Sequence, residues 1–221
     1  MQRITFTRPD DWHVHLRDGD EMRTVVADTA RRFARAIIMP NLTPPVTTTK
    51  MAMAYRSRIL AALPKRSKFE PLMTLFLTGK TGPQEIVKAK QSGFVHGVKY
   101  YPAGATTHSD SGVTDLNKCF GALEEMQKLD MPLLVHGEVT NPDVDMFDRE
   151  KVFIERVLSQ ITQRYPRLRI VFEHITTREA VEYVTSAPDN IAATITVHHL
   201  LLNRNAMISG GLCPHYYCLP V

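Results

Sequence analysis

The stretch DWHVHLRDG, residues 11–19, places two histidines and an arginine on what otherwise reads as a short β-strand near the start of the chain. His13 and His15 stand two apart, so strand alternation sends both to one side and turns Val14 away. In an open doubly wound sheet, this first strand would lead into a Gly-x-Gly-x-x-Gly phosphate loop, and none follows. His-x-His stands there instead. A (β/α)8 barrel puts its chemistry at the C-terminal ends of its strands, which is where this pair lies.

The rest of the chain supplies the other strands. Apolar runs of strand length fall at 11–15, 36–39, 71–78, 95–101, 132–136, 169–173 and 191–197. Between them, helical periodicity runs over 21–33, 49–62, 83–91, 115–128, 148–164 and 177–185. Thr114 or Asp115 can cap the fourth of these helices, and Thr176 or Thr177 the sixth. Strand and helix alternate without interruption, which predicts a parallel sheet with crossover helices. With no repeat, linker or low-complexity tract, residues 1–221 read as a single barrel domain of the α/β class.

Composition narrows the function. The chain has 221 residues, is 43% hydrophobic and 23% charged, and carries a formal charge of +4. That charge is too diffuse for a nucleic-acid partner, and no block of like charge or basic arm appears. The start, MQRITFTRPDDW, lacks the apolar stretch of a signal peptide, and no apolar run is long enough for a membrane span. Three cysteines, Cys119, Cys213 and Cys218, are an odd count, unlike a secreted disulfide framework. Cys213 and Cys218 could serve as zinc ligands, but two thiols without a second pair read more simply as bystanders. The expected compartment is the cytoplasm.

The ends of the expected strands collect an unusual set. Strand one ends in His13-Val14-His15, strand four in Val98-Lys99-Tyr100, strand five in Val135-His136-Gly137 and strand six in Glu173-His174-Ile175. Lys99, His136 and His174 are 37 and 38 residues apart, about one βα unit each time, which predicts equal height on neighbouring strands. One histidine at a strand end is usually a hydrogen-bonded structural residue. That plain role is assigned to His96, His108, His198, His199 and His215. Four imidazoles and a lysine in register point to a metal centre. Nitrogen ligands suit zinc or a similar divalent ion and argue against magnesium or calcium. A lysine ammonium would repel the metal unless desolvation leaves it a neutral amine, able to add carbon dioxide and become an anionic carbamate.

Taken together, RPDDWHVHLRDG, MPNLTPPVTT, KYYPAGATT, MPLLVHGEVT, FEHITT and PHYYCLP resemble the dihydroorotases of the shorter, bacterial single-function type, within the amidohydrolase superfamily. The resemblance covers essentially the whole chain. It implies two zinc ions, one on His13 and His15 and the other on His136 and His174, bridged by N6-carboxylysine at Lys99 and a hydroxide. It implies reversible closure of N-carbamoyl-L-aspartate to L-dihydroorotate in pyrimidine synthesis. Arg17 and Asn41 would take the substrate carboxylate, Thr106 and Thr107 would reach substrate from a closing loop, and the Leu219 backbone would meet the ring. A homodimer is also implied.

The resemblance has one break. Its pattern continues past Val221 into an eighth strand bearing a catalytic aspartate, so the expectation is a barrel truncated before that strand, without its proton carrier and nearly inactive alone. Two alternatives stand beside the enzyme: another cyclic amidohydrolase of the hydantoinase or allantoinase type, and a catalytically inactive scaffold.

Overall fold

Seven parallel strands hydrogen-bond in chain order in the computed structural model, which describes residues 3–221. They are β1 (Asp11–Val14), β2 (Arg35–Ile38), β3 (Glu70–Phe76), β4 (Val95–Tyr100), β5 (Leu133–Val135), β6 (Ile170–Phe172) and β7 (Ile191–Ala193). Each parallel pairing requires a crossover, and helices supply it. The main ones are α1 (Gly19–Arg32), α2 (Thr49–Ala62), α3 (Pro83–Gln91), α4 (Phe120–Lys128), α5 (Arg149–Phe153), α6 (Ser159–Arg164) and α7 (Arg178–Ser186). The α/β barrel-type reading holds.

Local chemistry explains the helix starts. Thr48 caps α2 by accepting from the Met51 N–H, and Thr177 caps α7 by accepting from Ala180. Met22, Val26 and Ala30 form the buried stripe of α1 at four-residue intervals, and Ala52, Tyr55 and Ile59 form that of α2 at intervals of three and four.

The sheet has two apolar faces. Ala36, Ile38, Val98, Tyr100, Leu133, Val135, Ile170 and Phe172 belong to the large cluster shared with the helices. Ile37, Met39, Leu72 and Leu134 form a second, smaller cluster on the other face. Lys99 pairs in register with Leu134, so it points to this second, inner face.

The sheet is also strongly curled. His13 lies on β1 and His174 just past β6, five strands away, which in a flat sheet would separate them by about 24 Å. Their ring centroids are 5.1 Å apart.

Three expectations need correction. The last strand stops at Ala193 rather than running to 197. Thr196 instead accepts from the His199 N–H and starts a short helix, α8 (Val197–Leu201), so its oxygen caps rather than alternates. The helix expected over 148–164 contains a π-turn, Ile154–Leu158, between α5 and α6. Finally, Lys99, His136 and His174 are not level in the hydrogen-bond register. Lys99 pairs with Leu134, two residues before His136, and Phe172, two before His174, pairs with Val135. Strand tilt around a curled sheet makes up the offset and still brings the side chains together.

Candidate metal centre

The five nitrogen-bearing side chains converge. The His13 and His15 rings lie with centroids 5.0 Å apart, and the His136 and His174 rings with centroids 4.8 Å apart. Contact between His13 and His174 joins the two pairs. Lys99, wholly buried, extends its Nζ beneath them to the Glu173 carboxylate and over the Tyr101 ring.

Backbone irregularities make this possible. On β6, alternation would send Glu173 inward and His174 outward. His174 instead adopts φ 45°, a left-handed conformation that costs a non-glycine residue about 1–2 kcal/mol. That single turn brings His174 to the cluster beside Glu173. On β5, a Cβ at Gly137 would lie 1.9 Å from Phe172 Cε2. The bare backbone therefore presses against Phe172, and His136 and Glu138 both project to the opposite side.

The donor set fits a divalent ion. His13 Nε2 and His15 Nε2 are 3.1 Å apart. Two nitrogens on one tetrahedral zinc, each at about 2.0–2.1 Å, stand about 3.3 Å apart. The far nitrogen of His15, Nδ1, lies 2.8 Å from Asn41 Oδ1, and His136 Nε2 lies 2.6 Å from Glu138 Oε2. Each ring so held keeps one lone pair free. One atom from each of His13, Glu173 and His174 lies within 4.8 Å of the others. His13 Nδ1, Glu173 Oε1 and His174 Nδ1 are buried without a hydrogen-bond partner, although His13 Nδ1 and Glu173 Oε1 are 3.0 Å apart but poorly aligned. Buried lone pairs without a partner are costly unless a cation meets them.

Electrostatics favours the neutral imidazole. Burial, together with His13, Arg17 and Lys99, pushes His15 down to about 3, with Asn41 opposing. Burial also lowers His136 and, more strongly, His174. Lys99 is lowered as well, because burial strips its ammonium of water while Glu173 holds part of it up.

The cluster opens into a cavity of about 600 Å³ whose wall includes Arg17, Tyr101, Thr106, Thr107 and Leu219. Arg17 brings a buried Nη1 that has no partner. Asn41 stands behind His15 rather than on the wall, and its Nδ2 donates to the Thr107 carbonyl at 3.0 Å. One amide thus ties a ring of the cluster to the loop over it. His198 and His199, given a plain structural role above, line the same cavity; His199 Nε2 lies 3.0 Å from the Pro220 carbonyl oxygen. Cys218 is on the wall too, whereas Cys213 is not.

Sequence reasoning missed the carboxylates. Glu138 and Glu173 were unremarkable letters beside histidines, and only the absence of solvent marks them out. Glu150 is a third buried carboxyl. Its Oε2 accepts from the N–H groups of Thr177 at 2.8 Å and Thr176 at 3.2 Å, and from Thr177 Oγ1, anchoring the segment that follows His174. Burial raises it to about 7, against the hydrogen bonds from Thr177 and Thr176. The folded chain therefore binds this proton more tightly than the unfolded one. The associated stability is full below about pH 4.5 and is lost as pH rises through about 7, to a total of about 3 kcal/mol. Glu150→Gln, which keeps an acceptor and discards the charge, is expected to flatten urea-denaturation stability between pH 5 and 8 and to exceed the parent at pH 8. A parent whose stability does not fall across that window would contradict this.

Comparisons with known proteins bear on the whole arrangement. The profile of the Amidohydrolase family matches residues 6–216. A dihydroorotase of Nitrosomonas europaea is 68% identical over 221 residues, covering 99% of this chain and 63% of that protein. The crystal structure of a Campylobacter jejuni dihydroorotase superposes with a TM-score of 0.88 at 40% identity, covering 97% of this chain and 61% of that one. An L-hydantoinase of Arthrobacter aurescens shares the fold, with a TM-score of 0.77 at 18% identity, over 96% of this chain and 51% of its own. The chain thus spans under two thirds of the length of these relatives. Among the described residues no helix is long and apolar enough to cross a membrane.

Proposed function

We propose, from a chain that belongs to the amidohydrolase family, that the protein acts as a dihydroorotase, opening the ring of L-dihydroorotate and closing N-carbamoyl-L-aspartate in pyrimidine synthesis. The observation that carries this reading is the pair of imidazole nitrogens, His13 Nε2 and His15 Nε2, 3.1 Å apart at the floor of a cavity containing an unpartnered arginine.

His13 and His15 would hold one zinc ion and His136 and His174 a second, with Lys99, carboxylated on Nζ, shared between them. When bound, such a pair lowers the pKa of a water at the site and polarises a carbonyl oxygen. The chain's own groups do the rest. The buried Arg17 Nη1 supplies an uncompensated donor for the substrate carboxylate, where a planar guanidinium can make two parallel hydrogen bonds. Thr106 and Thr107 face the cavity from a loop that Asn41 holds down, so the loop excludes water and presents hydroxyls to the ring. Asn41 itself would meet the carboxylate by exchanging its Thr107 contact, and Leu219 closes the far wall. On this reading the acidic dihydroorotate ring would be preferred over neutral cyclic amides such as hydantoin, since a buried guanidinium nitrogen without a partner favours an anion. We read the 221 residues as one domain, acting in the cytoplasm as a homodimer.

The test is direct. Protein stripped with a chelator and titrated with zinc is expected to bind about two ions per chain, and the residual zinc-dependent turnover of a chain without its proton carrier is expected to be faster on dihydroorotate than on hydantoin. Absence of zinc binding, or faster turnover of hydantoin, overturns the reading.

A further inference from the structure

Glu138 is a costly residue to place where it is. Its side chain is 2% exposed, its Oε1 has no partner, and the only ion-pairing group at its Oε2 among the described residues is His136 Nε2, 2.6 Å away. A buried carboxyl with one partner is destabilising unless the contact serves something else. The backbone is built to make that contact. Gly137 lies flat against Phe172, where no Cβ fits, so residues 136 and 138 are both directed inward and their side chains meet.

The contact decides a chemical question. A carboxylate can only accept, so the proton of a neutral His136 must reside on Nε2. Its lone pair is then on Nδ1, on the ring edge that remains for the cluster. His15 is treated the same way from the opposite nitrogen: Asn41 Oδ1 takes Nδ1 and leaves Nε2. An outward acceptor on each ring is the arrangement that fixes orientation and tautomer in metal-bound histidines.

We infer that Glu138 is a positioning residue: it holds His136 in the Nε2–H tautomer and so presents Nδ1 as the nitrogen with which that ring binds a divalent cation. The inference rests on the metal-centre reading above. Its loss is expected to lower zinc affinity about 10- to 100-fold, with no direct contact between Glu138 and the ion.

The experiment uses two readouts. Long-range nitrogen–proton correlation on the metal-free protein identifies the tautomer of each histidine, and competition with a chromophoric chelator gives zinc affinity. In the parent, His136 is expected to carry its proton on Nε2. In Glu138→Leu that preference is expected to disappear and zinc affinity to fall at least tenfold, while His15, held by Asn41, keeps its own tautomer. Should the leucine variant fail to fold, Glu138→Asp, which withdraws the carboxyl by one methylene, makes the same comparison. A parent His136 protonated on Nδ1 overturns the proposal without any variant. So does a variant that keeps both tautomer and zinc affinity within threefold. A parent that binds no zinc at all refutes the metal centre instead, and the tautomer measurement still decides whether Glu138 holds the ring.

Discussion

A methyl group at position 137 is expected to destabilise the protein by about 3 kcal/mol or more, the upper end of what overpacking costs. The Cβ of Gly137→Ala would sit 1.9, 2.6 and 3.0 Å from three carbons of the Phe172 ring. Phe172 is fully buried and packs against Phe153, with ring centroids 6.3 Å apart, so it has nowhere to retreat. Relief must come from the backbone of β5 moving away from β6, which carries His136 and Glu138 off their positions. The variant should therefore lose zinc affinity in step with stability. Urea denaturation and chelator competition on the same sample check both. A loss below 1 kcal/mol would mean that Phe172 can swing aside, and that the close approach of the two strands is not what sets the His136–Glu138 geometry. Shrinking the neighbour in Gly137→Ala/Phe172→Leu should recover part of the loss, because the added methyl then has space.

The second large effect concerns Lys99. Both it and Glu173 are 0% exposed, and the lysine Nζ contacts the carboxylate directly. Removing one member of a buried pair leaves the other charge without compensation, typically at about 3–5 kcal/mol. Lys99→Met, close in length and apolar, is expected to lose that much stability in the metal-free protein. Glu173→Leu added to it should return most of the loss, since an apolar pair of similar volume is well tolerated in a core. The nearest group able to replace the lysine is His13, whose Nδ1 is 3.0 Å from Glu173 Oε1. If Lys99→Met unfolds within 1 kcal/mol of the parent, the pair is not an uncompensated-charge trap, and Glu173 is neutral or hydrated in the folded chain.

These two positions also show where reading the chain succeeds and where it stops. His13 and His15 were recognised as a pair because a strand repeats every two residues, and the structure puts their nitrogens side by side. Lys99, His136 and His174 were recognised because βα units are of similar length, so the candidates recur at similar spacing. The register offset between them was not legible for the same reason: spacing along the chain contains no information about strand tilt. Alternation is the nearest pattern at Thr196 and predicts a strand there, whereas its hydroxyl caps a helix that starts one residue later.

What the chain determined alone is the order of its elements, the α/β class and the identity of the imidazoles and the lysine. These follow from properties repeated locally, namely apolar periodicity, capping hydroxyls and residue type at strand ends. What folding decided is which groups lie behind them. His174 joins Glu173 at the cluster only because its backbone turns left-handed, and Glu138 meets His136 only because Gly137 lies against Phe172. Asn41 joins His15, 26 residues before it, to Thr107, 66 residues after it. Exclusion of water and the meeting of distant residues depend on all seven strands curling together, and no local stretch encodes them.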